Sequence, residues 1–159
     1  MTVETKTKAI DAIALLTTDH KKVKKLFKDF EKLKDHGSAK EKEALVDEIC
    51  QELTIHAQVE EEIFYPLARE VINDDDLMDE AIVEHAGAKE LIAQLVSTRA
   101  TEPFYDAKVT VLGEEIAHHV EEEETDMFVK VKKSKLDLAA VGERMAERKT
   151  ELQGETGRR

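Results

Sequence analysis

The sequence has one cysteine, two prolines, six glycines and no tryptophan among its 159 residues. A single cysteine, Cys50, excludes an internal disulfide framework, and within a helical pattern it reads as a small apolar residue. Scarce glycine, proline and aromatics, set against abundant Ala, Leu, Glu and Lys, favour long helices over strands. No apolar run approaches the length of a membrane span. The opening stretch MTVETKTKAID lacks the apolar segment of a secretory signal. The expectation is a cytoplasmic protein with no membrane partner. Positive charge is also in short supply. A formal net charge of −12 opposes nucleic acid, whose phosphates need Lys and Arg, and it opposes anionic membrane surfaces. The cluster Lys21, Lys22, Lys24, Lys25 and Lys28 is a local exception, read as the wet face of a helix.

What is present fits one all-α domain spanning residues 1–159, with a core at about 9–132 and a C-terminal helix or tail at about 137–152. The first helix is expected from about residue 9 to 34, ending at His36-Gly37. Ser38 and Glu41 form a capping box for the second, which runs to about Ile72 with a kink or break near Tyr65, before Pro66. The cluster Asn73 to Asp76 caps a third helix that fades near Arg99. Pro103 is expected in the first turn of the fourth, and the last residues from Gly154 to Arg159 are expected to fray.

Each long helix carries a seam with steps of three and four residues. The first reads Ile13, Leu16, His20, Val23, Phe27, Phe30, and the second Val46, Ile49, Leu53, His56, Glu60, Ile63, Leu67. The third reads Met78, Ile82, His85, Lys89, Ile92, Val96, and the fourth Val109, Leu112, Ile116, His119, Glu123, Asp126. Such spacing with short loops predicts an up-down-up-down four-helix bundle.

Those seams are interrupted by charge. Every helix places a histidine on its core-facing stripe, and two place a glutamate four residues later, on the same face. A buried carboxylate without a partner costs several kcal/mol, so it neutralises, pairs or binds a cation. The bland alternative is six unrelated, individually satisfied polar residues; it would serve for any single histidine, but six in register favour a shared site. The chain also looks duplicated. His56-Ala-Gln-Val-Glu60 through Pro66 matches His119-Val-Glu-Glu-Glu123 through Val129, and Asp19-His20 matches Glu84-His85. His118 lies one residue off the seam and His36 in a loop, so neither is expected to ligate. Imidazole and carboxylate without thiolate fit iron, with manganese or zinc as alternatives. Two iron ions sharing two glutamates would use the whole set.

The order His20, His56-x-x-x-Glu60, His85, His119-x-x-x-Glu123, with DHKKVKKLF, HAQVEEEIFYP and HHVEEEETDMF around it, resembles the hemerythrin-like HHE cation-binding domain family. The resemblance covers nearly the whole chain, including the tail LDLAAVGERMAERK. It implies an oxo- or hydroxo-bridged di-iron centre, with the four histidines as nitrogen ligands and Glu60 and Glu123 as bridges. It also implies a small diatomic or peroxide ligand, and roles in oxygen binding, iron handling, oxidative stress, peroxide breakdown (a catalase-like activity) or nitric oxide response. Oxygen carriers in the family have two histidines a turn apart on the third helix, where this chain has His85 and Lys89. Their fourth-helix carboxylate also lies five residues after its histidine rather than four. One position open on iron would favour reaction over simple carriage. Two other readings stand beside this one. A ferritin-like di-iron carboxylate protein would need paired Glu-x-x-His motifs, and only Glu115 to His118 offers one. A metal-free helical interaction bundle would purify colourless. The acidic runs at 60–62 and 121–124 suggest no calcium loop, and most of those glutamates are expected to face water.

Overall fold

The computed structural model describes residues 11–156. Asp11 caps the first helix, α1 (Ala12–Leu33), accepting from Ala14 N at 2.8 Å. The two positions before it in the expected helix, Ala9 and Ile10, lie outside the described residues. The expected capping box forms in full. Ser38 Oγ accepts from Glu41 N at 3.1 Å, and the Glu41 carboxylate accepts from Ser38 N at 3.2 Å, opening α2 (Ala39–Val59).

α2 does not break at Pro66. It passes through a π-helical turn, Glu60–Phe64, and continues as α3 (Tyr65–Ile72). The wide turn bonds Tyr65 N–H to Glu60 O, five residues back, so the irregularity is absorbed just before a residue that has no N–H to offer. Asn73 ends the helix in the left-handed region (φ 51), and Asp74 caps α4 (Asp75–Val96), accepting from Leu77 N at 3.2 Å. Pro103 is not in a first helical turn. Phe104 takes a left-handed φ of 69, and α5 (Tyr105–Glu122) begins after it, with the Tyr105 ring buried. A second π turn, Glu123–Met127, leads to α6 (Phe128–Lys132), and α7 (Leu138–Thr156) follows. α7 extends past Gly154, so the expected fraying is not seen up to Thr156; Gly157, Arg158 and Arg159 lie outside the described residues.

The result is the expected all-helical, up-down-up-down bundle. α1, α2–α3, α4 and α5–α6 are its four long members, and α7 packs across α1 and α2. The core divides into two apolar clusters. One gathers Leu16, Phe64, Tyr65, Met78, Met127, Phe128 and Met145; the other gathers Phe30, Val46, Ile49, Cys50, Leu95 and Leu112. Burial pushes the Cys50 thiol up to about 12, which suits an inert core residue.

The π turns correct the seams. Beyond Glu60 the buried positions are Phe64, Tyr65 and Ala68 rather than Ile63 and Leu67, and beyond Glu123 they include Met127 rather than Asp126, which pairs with Lys130 instead. Each extra residue in the wide turn advances the register by one. α4 also differs from its expected seam. It packs through Ala81, Ala88 and Leu95, and leaves Ile82 and Val96 44% and 58% exposed. No helix among the described residues is long and apolar enough to cross a membrane.

Candidate metal centre

All six predicted residues are buried and meet at mid-bundle, between the two apolar clusters. They form two overlapping groups, His20, His56, Glu60, Glu123 and Glu60, His85, His119, Glu123, so both glutamates belong to each. The four Nε2 atoms point inward. Those of His56 and His85 lie 3.2 Å from Glu60 Oε1; that of His20 lies 3.2 Å from Glu123 Oε1, and that of His119 lies 3.3 Å from Glu123 Oε2.

The outward nitrogens are all held. His56 Nδ1 faces Asp19 Oδ2 at 3.0 Å and His119 Nδ1 faces Glu84 Oε1 at 2.7 Å. His20 Nδ1 faces Glu124 Oε2 and His85 Nδ1 faces Glu61 Oε2, each at 2.7 Å. A carboxylate on Nδ1 sets ring orientation and makes Nε2 the better donor to a cation. Glu61 and Glu124 therefore do not simply face water, as the acidic runs suggested. The signal that could have revealed them is their place one residue after each core glutamate, in both copies of the repeat.

Electrostatics follow from burial and crowding. Burial opposes the charged form of His56, but the Glu60 charge and the bonds to Asp19 and Glu60 outweigh it and hold the imidazole up to about 10. His119 is likewise held up to about 10, burial being outweighed by Glu123, Glu60 and Glu84. Glu123 is buried, yet its bonds to His119 and His20 keep its carboxyl well below the usual range. Three inward atoms, His20 Nε2, Glu60 Oε2 and Glu123 Oε1, are fully buried without a well-aligned hydrogen bond; His20 Nε2 and Glu123 Oε1 merely face each other at 3.2 Å. Orphaned donors and acceptors of this kind are costly in a dry core, and a cation among them would satisfy all three. The donor set fits a borderline divalent or trivalent ion.

Residues 11–131 match the hemerythrin HHE cation-binding domain family. The chain belongs to that family. The crystal structure of an HHE cation-binding domain-containing protein from Mycobacterium kansasii is similar to it, with TM-score 0.75 and 28% identity over 92% of this chain and 89% of that one. A curated relative, a DNA nickase from Nostoc sp. (strain PCC 7120 / SAG 25.82 / UTEX 2576), is 28% identical over 118 residues. That match takes 74% of this chain but only 32% of the nickase, so the chain spans about a third of that relative.

Two further features of this HHE domain came only with the structure: the place of Tyr65 and the partner of Lys89. Tyr65 is buried, and its hydroxyl lies 3.1 Å from both His85 Nε2 and His119 Nε2. The same hydroxyl donates to Glu123 Oε2 at 2.5 Å and lies 3.4 Å from Glu60 Oε1. Burial first, then the Glu123 and Glu60 charges, raise its pKa well above the ordinary value. In a plain α-helix a residue five past Glu60 would be rotated about 140° away; the π turn brings it back over the site. The second feature is Lys89, which stands where carriers have a histidine. Its ammonium reaches outward to Glu61 Oε1 at 2.6 Å and does not enter the centre. His118 is 66% exposed, and His36 is exposed in the first loop, as their register implied.

Proposed function

We propose that this chain is a non-haem di-iron protein that reacts with a small diatomic or peroxide ligand. The observation that carries the reading is the pair of four-donor groups sharing Glu60 and Glu123. His20 and His56 would hold one iron, His85 and His119 the other, and the two glutamates would span both. When bound, such a pair supplies two adjacent redox-active Lewis acids. The protein's own part is to orient the imidazoles through Asp19, Glu61, Glu84 and Glu124, and to exclude bulk water from the centre.

Tyr65 supports a fifth donor on the second ion. Donors about 2.1 Å from one octahedral ion sit about 3.0 Å from their nearest neighbours. The phenol oxygen lies 2.5–3.4 Å from all four donors of the second group, as a neighbouring vertex would. It would give up its proton on ligating, because a cation reverses the anionic surroundings that now hold that proton. Among the described residues no such donor stands by the first group: Phe128, the counterpart of Tyr65, stacks on His20 with ring centroids 5.9 Å apart. An ion held by His20 and His56 would have the poorer donor set, and an exogenous ligand would find room there more readily than beside Tyr65.

A small cavity of about 40 Å³ touches all four histidines and is otherwise walled mainly by Val23, Leu53, Ala88, Ile92, Ile116 and Val120. Its narrow, apolar walls suit a small uncharged ligand rather than a bulky or charged one. That supports dioxygen, nitric oxide or hydrogen peroxide over larger substrates. The likeness to a nickase carries no DNA-cutting activity here, given the short shared span and the charge of −12.

The test is elemental analysis of aerobically purified protein together with its visible spectrum, followed by peroxide addition with oxygen evolution recorded. About two irons per chain and charge-transfer bands altered by peroxide are expected. A colourless chain that takes up no iron on reconstitution would leave a metal-free bundle.

A further inference from the structure

The two halves of the centre are related by an internal repeat, and the repeat exposes an odd site out. Asp19 and Glu84 are counterparts, each accepting from the Nδ1 of a core histidine. The second oxygen of Asp19 is bound by Lys149 Nζ of α7 at 2.6 Å. Among the described residues Glu84 has no such lysine; its second oxygen faces His118 Nε2 at 3.9 Å, and that nitrogen lies 3.1 Å from Glu122 Oε1. One donor atom each from Glu84, His118 and Glu122 falls within 4.8 Å of the others. Sixty-three residues earlier, His118 and Glu122 correspond to Ile55 and Val59, which are buried in the same cluster as Val141 and Met145 of α7. One half thus presents an apolar face that α7 covers; the equivalent face of the other half presents an imidazole and two carboxylates to solvent.

We propose that Glu84, His118 and Glu122 form a surface site for a borderline divalent cation such as zinc, manganese or ferrous iron, separate from the buried centre. His118 and Glu122 are four apart on α5 and share a face, while Glu84 approaches from α4. One imidazole and two carboxylates suit these ions better than calcium, which prefers all-oxygen sets, or copper(I), which prefers sulfur. Three protein donors leave a position for water, and the side chains are exposed enough to close the short distance that an ion at about 2.1 Å would require. Asp76, Asp79 and Glu80 line the same surface hollow and attract a cation to it. The bound ion does for Glu84 what Lys149 does for Asp19. The competing description is an i,i+4 ion pair between His118 and Glu122, which contributes little and selects no metal.

The site does not depend on which ions the buried centre holds, and the experiment keeps the two apart. Protein as purified is equilibrated with zinc chloride at neutral pH, desalted, and analysed for zinc and iron, alongside His118→Ala and Glu122→Gln. Wild type is expected to carry one zinc more than His118→Ala, with iron content equal in the two and, before zinc is added, equal melting temperatures. Glu122→Gln should bind that zinc at least about tenfold more weakly. Because the readout is the difference between wild type and an exposed-site variant, it is valid whether or not iron occupies the centre. Equal zinc in all three proteins, or none in wild type, overturns the proposal.

Discussion

The α1–α3 half and the α4–α6 half carry the same local chemistry in different settings. His56, Glu60 and the π turn that follows recur as His119, Glu123 and a second π turn, and the Nδ1 partners Asp19 and Glu61 recur as Glu84 and Glu124. What differs is the residue after each π turn, Tyr65 or Phe128, and the cover over each outer carboxylate, Lys149 of α7 or open solvent. Duplication therefore preserves the donors, while single residues beside them make the two positions chemically unequal.

The strongest way to break this picture is through the shared glutamates. Glu60→Ala or Glu123→Ala removes a donor from both groups at once. Each variant should lose both irons and melt well below wild type, because bound metal contributes folding free energy and a histidine is left unpaired. Loss of one iron only would show that the halves bind independently.

A large effect is also expected from pH in chelator-treated protein. His56 and His119, one per half, are both held up to about 10 from an ordinary 6.5. A raised histidine stabilises fully below the unfolded value and loses that contribution as pH climbs through the folded one, so stability should fall between about 6.5 and 10. Glu123, shifted down, contributes above its ordinary 4.5 and loses that as pH drops through its lower folded value. Thermal melts from pH 5 to 10 check this, and imidazole NMR should show both histidines titrating in the same alkaline range. If one titrates near 6.5, the halves are electrostatically unlike. Iron binding should run the other way with pH, since it needs neutral imidazoles and releases protons.

Tyr65→Phe sharpens the asymmetry. It makes the second donor group resemble the first, and should abolish a phenolate-to-iron band while keeping iron at or near two per chain. An unchanged visible spectrum would remove Tyr65 from the donor set. The smallest effect is expected from Lys149→Ala, which acts on one half through Asp19 and His56. Iron affinity should weaken by up to about tenfold, the lower end for partners outside the ligand set. A chelator competition series would measure it, and a loss as large as that of Glu60→Ala would assign Lys149 a different role.

Much of the centre was legible in the sequence because its signal is local. His-x-x-x-Glu places two donors on one helical face whatever surrounds it, and Ser38 with Glu41 marks a helix start by bonds within four residues. What escaped depends on partners distant along the chain or on backbone that departs from 3.6 residues per turn. Glu61 looked solvated until α4 brought His85 against it, and Lys89 had no partner in view until its bond to Glu61 appeared. Tyr65 looked like the residue before a proline kink, since an ordinary helix would turn it away from Glu60.

By itself the sequence determined an all-helical chain, the pairing of its halves and the six inward-facing donors. Helical periodicity and the cost of burying unpaired charge act over a turn or two of chain. Only the tertiary structure decided which carboxylate holds which histidine, that a phenol joins one half, and that α7 shields one outer carboxylate and leaves the other open. Those depend on the two π turns and on which helices lie side by side, and a contact between residues 19 and 149 has no counterpart in local spacing.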